Sequence, residues 1–485
     1  MKKSKLFILI LAVVMAISSI GLCGCVQTAD SGNVYVVKIE KTSSDENKDV
    51  YTVTYSDGTT TTFEVKNGED GAKGAKGDAG KDGVDGEDGK DLTIDEIFEK
   101  YLEIHPNATY EQFLEAFLTV NTDGNAAVIN RALLTSAKIY SEFIKVKSEK
   151  TDVSIGAGSA VIYKIDSDYT YFITNFHVVF DDEAVSGKEF ARKLTCYLYG
   201  SEGGPYNTQK TDQDSYTIYD YGSYAIPCEY VGGAAMSDIA VIRAETSTVL
   251  AINPDVQAVV FADGYHVGET AIAIGNPESE GISVSEGIVS VDNERINLNV
   301  DGTSREFRSI RIDTALYHGN SGGGLYNTDG RLIGITNAGD VTDQNINYAI
   351  PVQIVKGAVE NIMHYSALGE NTVMKIKLGV TVTAKNSKYV YDESIGYGKI
   401  VEDIIVTEVA DGSISASLGV SANDRIISLS INGTEYSLDR YFEIGDLLYY
   451  IKAGDKLSIK VERDGLIKTD LPTYTVKTSD VKAAE

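Results

Sequence analysis

The sequence predicts a mainly β protein whose central stretch, residues 155 to 351, forms a double antiparallel β-barrel with a cleft between the barrels. Short runs of alternating apolar residues separated by Gly-containing turns recur through that stretch, which is the pattern of closed antiparallel sheets. Inside it stands Gly319-Asn320-Ser321-Gly322-Gly323-Gly324. Glycines on both sides of a hydroxyl permit a sharp turn that presents Oγ and converges backbone N–H groups on one point. Taken alone, the hexapeptide also suits a flexible loop.

Two upstream runs favour chemistry over flexibility. Tyr171-Phe172-Ile173-Thr174-Asn175-Phe176-His177-Val178-Val179 is an apolar strand ending in a candidate general base, His177. Met236-Ser237-Asp238-Ile239-Ala240-Val241-Ile242 heads another buried strand with Asp238, a candidate orienter of the imidazole.

From its start, the chain reads Met1-Lys2-Lys3-Ser4-Lys5, then an apolar run from Leu6 to Ile20. That run is short for a membrane span and reads as a secretory signal. Leu22-Cys23-Gly24-Cys25 resembles a bacterial lipobox, which implies cleavage after residue 24 and lipidation of Cys25. More than one acyl chain on a residue gives lasting anchorage. Formal charge is −28 over 485 residues, and loss of Lys2, Lys3 and Lys5 makes it more acidic. Such a charge argues against nucleic-acid binding and against electrostatic docking on anionic lipid, so membrane attachment rests on Cys25. Cys196 and Cys228 then allow one disulfide or two free thiols.

Residues 33–66 carry strand-like runs, Val34 to Ile39 and Tyr51 to Tyr55, with Ser56-Asp57-Gly58 as a hairpin turn. They form a small β module without catalytic residue types. From Gly68 to Gly89 a glycine recurs at every third position, as in collagen, but without proline. A solvated linker over 67–91 is therefore expected, with ion pairing across a trimer as the alternative. Residues 92–146 read as helical: Thr93 with Glu96 resembles a capping box, and a helical lead-in is expected from Ala126 to Val146.

The three motifs around His177, Asp238 and Ser321 resemble, in order, the His, Asp and Ser boxes of the HtrA (DegP/DegS-like) family of trypsin-like serine proteases. The resemblance covers residues 155 to 352. It implies a protease domain over 150–366, a His177/Asp238/Ser321 triad, and an oxyanion hole at Gly319, Asn320 and Ser321. Substrate would be met by Leu316, Ile335 and Asn337, with cleavage after small or medium apolar residues. No metal or other cofactor is implied. Ile155 to Ile162, Gly275-Asn276-Pro277 and Glu286 to Ser290 also resemble family segments. His318 and Gly324 depart from the family pattern without removing a catalytic atom. The stretch from Leu198 to Ala225, rich in Gly, Tyr and Asp, is an insertion relative to that pattern, expected to be a surface loop.

Residues 371–480 resemble a PDZ domain through Lys377-Leu378-Gly379-Val380, Leu418-Gly419-Val420, Asn423 to Ile427 and Ile431-Asn432-Gly433. The resemblance implies capture of peptide C-termini, with Leu378, Gly379 and Val380 holding the carboxylate; a domain that only packs on the protease is the alternative. The function implied is a lipid-anchored, extracytoplasmic endopeptidase acting on unfolded or exported proteins, with a homotrimer as a further family expectation. A catalytically silent surface scaffold that binds peptides is the competing reading.

Overall fold

The computed structural model describes residues 36–44, 48–55, 59–66, 98, 102, 125–147, 150–339, 345–393 and 396–484. The leader with Cys25, the Gly-x-y stretch and nearly all of residues 92–120 lie outside the described residues. Two units are distinguished, Met1–Thr122 and Asp123–Glu485. In the first, β1 (Val36–Ser44), β2 (Lys48–Tyr55) and β3 (Thr60–Lys66) form an antiparallel meander within the stretch 33–66 read as a small β module.

The second unit begins with α1 (Ala126–Leu133) and continues as β4 (Ser136–Lys147), a strand where a helix was expected. This corrects both the helical lead-in and the start of the barrel domain, which includes residues before 150. The reason is tertiary. β4 pairs along its whole length with β5 (Lys150–Ile165) and over Ala137 to Glu142 with β7 (Lys193–Leu198). Ala137 and Ile139 enter the first barrel's core, whereas Tyr140 packs with Tyr197 and Tyr221 in a separate cluster. A period of two, with distant partners, overrides the local helical spacing.

β4, β5 and β7 close a six-stranded barrel with β6 (Tyr169–Thr174), β10 (Ile226–Ala234) and β11 (Ile239–Glu245). A second closed barrel holds β12 (Thr270–Gly275), β13 (Ser283–Asn299), β14 (Ser304–Ile312), β15 (Gly324–Tyr326), β16 (Leu332–Gly339) and β17 (Asn347–Pro351). The mainly β, double-barrel fold expected from the strand pattern is thus present. Each barrel has its own apolar interior. A third cluster joins Ile173 and Val241 of one barrel to Ile272 and Ile335 of the other. The helix that follows β17, Val352–Ser366 (here α3), seals it with Val355, Ala358, Val359 and Ile362, a stripe at i, i+3, i+4 and i+7. The barrels are therefore fixed against each other by burial of side chains worth about 1.5–3 kcal/mol apiece.

The 198–225 insertion is more ordered than a bare loop. It contains a two-stranded ribbon, β8 (Tyr206–Thr211) and β9 (Thr217–Asp220). Its tyrosines divide by role. Tyr221 is buried, its hydroxyl donating to Glu142 at 2.9 Å, and its carbonyl accepts from Tyr197 Oη. Tyr199, Tyr206 and Tyr224 are exposed. Cys196 and Cys228, on paired strands at the insertion's base, are free thiols.

Beyond α3, β18 (Met374–Lys375) pairs with Lys482–Ala483 near the chain end. A sheet follows, built on β19 (Val380–Asp392), β20 (Tyr397–Val409), β21 (Arg425–Ile431), β23 (Lys456–Arg463) and β24 (Leu466–Lys468), with β22 (Thr434–Ser437) paired to β21. Short helices α4 (Ile414–Ser417) and α5 (Glu443–Leu447) complete its core. Among the described residues no helix is long and apolar enough to cross a membrane.

Candidate active site

β6 and β11 lie side by side with Thr174 opposite Ala240, so the residues just after β6 meet those just before β11. The single turn α2 (Phe176–Val179) carries His177, and Asp238 ends the turn from β10 into β11. Asp238 has φ +50°, a left-handed conformation that aspartate tolerates better than most residues. Its carboxylate is fully buried and accepts from His177 Nδ1 at 2.9 Å (Oδ2) and 3.0 Å (Oδ1), and from the His177 N–H at 3.1 Å. Because an ionised carboxylate only accepts, this contact places the ring proton on Nδ1 and leaves Nε2 as the basic nitrogen. Burial pulls the His177 pKa down, but the charge and hydrogen bond of Asp238 outweigh it and hold the imidazole above its ordinary value of 6.5.

The serine loop is pinned from both barrels. From the first, Ser159 of β5 donates through Oγ to the Gly319 carbonyl at 2.7 Å and through N–H to the Ser321 carbonyl at 2.8 Å. From the second, Thr336 Oγ1 donates to the Asn320 carbonyl at 2.6 Å, while the Gly322 N–H donates to the Thr336 carbonyl at 2.9 Å. Gly158 brings the loop and the histidine turn together: a Cβ there would lie 2.8 Å from Val178 and 3.2 Å from the Ser321 carbonyl. The Ser321 side chain itself makes no hydrogen bond among the described residues.

Gly319 has φ +96°, and a Cβ on it would strike the Asn276 carbonyl, so the turn admits no side chain. The preceding His318 carbonyl is held by the Glu278 N–H at 2.6 Å. The His318 side chain is exposed. Of the three expected oxyanion-hole amides, Asn320 is already committed, donating to the Tyr317 carbonyl at 3.0 Å. That corrects its assignment, because the tight 317–320 turn consumes its N–H. The amides of Gly319 and Ser321 donate to no protein acceptor among the described residues.

The expected substrate contacts separate. Leu316 is half-buried at the edge of the second barrel. Ile335 has no exposed surface and packs in the cluster between the barrels, so it backs the cleft instead of lining an open wall. Asn337 lies where the β16–β17 register shifts between Thr336 and Ala338, and it is 6% exposed. Neither atom of its carboxamide has a hydrogen-bond partner among the described residues, which is unusual for a buried polar group. Among the described residues there is no cluster of three or more His, Cys, Asp or Glu side chains suited to a metal ion.

In the C-terminal domain, Leu378 and Val380 border an apolar cavity with Leu418, Val420, Ile426 and Ile444. Gly379 has φ +70°. The Leu378 and Gly379 carbonyls are occupied by the N–H groups of Ser415 and Ala410, both at 2.9 Å.

Sequence reasoning gave no role to Asn175, Ser159 or Thr336, although Asn175 and Ser159 stand inside quoted motifs. Their contacts run to residues 16 to 160 positions away, and no local spacing announces them.

Residues 158–335 match the family model described as a trypsin-like peptidase domain. The chain is 29% identical over 325 residues to the serine protease Do-like HtrA of Bacillus subtilis (strain 168), covering 65% of this chain and 62% of that one. It is 30% identical over 333 residues to the serine protease Do-like HtrB of the same organism, covering 66% and 62%. Identity to the periplasmic pH-dependent serine endoprotease DegQ of Escherichia coli (strain K12) is 27% over 391 residues, covering 77% and 71%. The chain thus spans about three fifths of the length of the two Bacillus relatives. A solved structure of the HtrA-type protease AlgW with decapeptide is similar at a TM-score of 0.45 and 24% identity, over 75% of this chain and 100% of that one.

Proposed function

We propose, from the premise that the chain belongs to the HtrA family of trypsin-like serine proteases, that it is an endopeptidase acting on unfolded or exported proteins through His177, Asp238 and Ser321. His177 Nε2 takes the Ser321 proton as Oγ attacks the peptide carbonyl, and later delivers it to the leaving amine. Asp238 keeps the ring proton on Nδ1 and stabilises the imidazolium. Water then attacks the acyl-enzyme by the same base. The amides of Gly319 and Ser321 stabilise the oxyanion, and each such donor supplies about 3–4 kcal/mol of transition-state stabilisation. Leu316 and Asn337 meet the substrate side chain before the scissile bond, with Ile335 as support from behind.

The observation that carries this reading is the buried Asp238 carboxylate on His177 Nδ1, with two amides of the serine loop, Gly319 and Ser321, that meet no protein acceptor among the described residues. Incubation of purified protein with unfolded casein should give peptides, and a Ser321→Ala variant should give none above background; equal rates would remove the reading. A fluorophosphonate label should attach to Ser321.

The finer assignments belong to the same proposal. Cys25 carries the lipid and holds the enzyme on the outer face of the cell membrane, a location consistent with the periplasmic DegQ relative. Cys25→Ser should move the protein from the detergent phase to the aqueous phase on detergent partitioning. The PDZ-like cavity takes peptide C-termini, with the 378–380 amides on the carboxylate, so peptides with a free carboxyl should bind and amidated ones should not.

A further inference from the structure

We infer that Asn175 is a positioning residue for the proposed reaction: its carboxamide locks the Asp238 backbone in the conformation that aims the carboxylate at His177. The inference rests on the protease reading above and adds a residue to it.

Asn175 occupies the N-cap position of α2, where an asparagine ordinarily turns Oδ1 onto an N–H of the first turn. Here it makes no such cap. Instead Nδ2 donates to the Asp238 carbonyl at 2.9 Å. The side chain is fully buried and its Oδ1 has no partner among the described residues. A buried amide that leaves one end unsatisfied is costly, so the capping role does not account for it. The bond to Asp238 does.

Asp238 is the residue in need of a lock. At φ +50° it sits in a sparsely populated region, where a non-glycine residue costs of order 1–3 kcal/mol unless its surroundings hold it. Four contacts from residues 175–177 do so. Asn175 Nδ2 and the Phe176 N–H (3.1 Å) hold its carbonyl, while the His177 N–H and Nδ1 hold its carboxylate. Among the four, Asn175 supplies the one side-chain bond to the main chain of Asp238. Without it the Asp238 carbonyl loses one of its two donors and the hold against relaxation to negative φ weakens, a rotation that carries the carboxylate away from the imidazole. Among the described residues Asp238 is also the one charged group acting on the His177 ring, so loss of aim changes the ring's titration directly.

The test uses the full chain with Asn175→Leu, near in shape but without a donor, and Asn175→Ala. In both, the low-field proton resonance of His177 Nδ1–H should weaken or vanish, and the His177 titration should fall toward 6.5. kcat on a peptide substrate should drop on the order of tenfold to a hundredfold, the scale of a small misplacement in a catalytic group, with KM little changed. Asn175→Leu should keep the wild-type unfolding midpoint within a few degrees, which separates positioning from a loss of fold. Unchanged titration and kcat in folded Asn175→Leu would overturn the inference. Because the resonance and titration are read without substrate, they report on Asn175 even if Ser321→Ala shows that the chain is no protease.

Discussion

At the scale of single residues, the site depends on one buried charge raising the basicity of one ring. On the proposed mechanism, protonation of His177 as pH falls through its raised pKa removes the base, so the acid limb of kcat/KM should lie above 6.5. The stability sign follows from the same shift. The bond to Asp238 favours protonated His177 in the folded state, so its contribution is full below the ordinary histidine value and is lost as pH rises through the folded one. Asp238→Asn should lower turnover on the order of 10⁴, by the wrong tautomer, and move the acid limb down; a variant within tenfold of wild type would mean that Asp238 does not orient the base. Gly319→Ala tests the other half of the site. Its Cβ meets the Asn276 carbonyl and its φ is unfavourable to alanine, so the 318–319 peptide must turn and withdraw the Gly319 amide proposed as an oxyanion donor. A loss of about 10²–10³ in kcat is expected, measured beside an unchanged far-ultraviolet spectrum.

At the scale of elements, the serine loop is held by the strands it touches, and one departure from the family pattern shows how. Gly324 opens β15, and a Cβ there would overlap the Tyr326 ring, which is 1% exposed and bonded through Oη to Thr135 Oγ1 at 2.7 Å. The tyrosine fills the space that a larger residue at 324 would take. Gly324→Ala should therefore destabilise by about 1–3 kcal/mol through overpacking, and much less in a Tyr326→Leu background; equal losses in both backgrounds on urea titration would refute the steric link. The sequence's legibility followed the same division between local and distant contacts. The contact between His177 and Asp238 was readable because each sits in a short motif with its own strand or turn. β4 was misread as helix because Ile139, Tyr140, Phe143 and Ile144 satisfy helical spacing as well, and its true partners β5 and β7 are chosen by barrel closure. The locking role of Asn175 and the commitment of the Asn320 amide were hidden for a related reason: both are set by which groups the folded chain brings opposite them.

At the scale of the whole second unit, the C-terminal domain is docked on the barrels by buried polar contacts, and these make its attachment sensitive to charge. Asn361 of α3 donates through Nδ2 to the Met374 and Tyr449 carbonyls at 2.8 and 2.9 Å, and Tyr450 Oη donates to the Gln353 carbonyl at 2.9 Å. Arg440 pairs with Asp292 of β13, and Arg308 of β14 reaches Asp446 of α5 at 3.4 Å while lying over the Phe442 ring. Asp446 is buried, and burial raises its pKa despite the opposing pull of Arg308 and Lys375. Removing the guanidinium leaves that carboxylate with Lys375 as its remaining cation, so Arg308→Leu should destabilise at neutral pH by about 3–5 kcal/mol, the scale of breaking one side of a buried pair. Two features distinguish this from mere loss of packing. The penalty should shrink when Asp446→Asn is introduced as well, since no buried charge is then stranded. It should also shrink as pH falls through the raised Asp446 pKa, because a protonated carboxyl no longer needs the cation, whereas lost contacts between Arg308 and Phe442 would persist at every pH. Urea midpoints of the four proteins of this cycle, taken across the acidic range, read both effects; a penalty independent of pH and of residue 446 would assign Arg308 to packing alone.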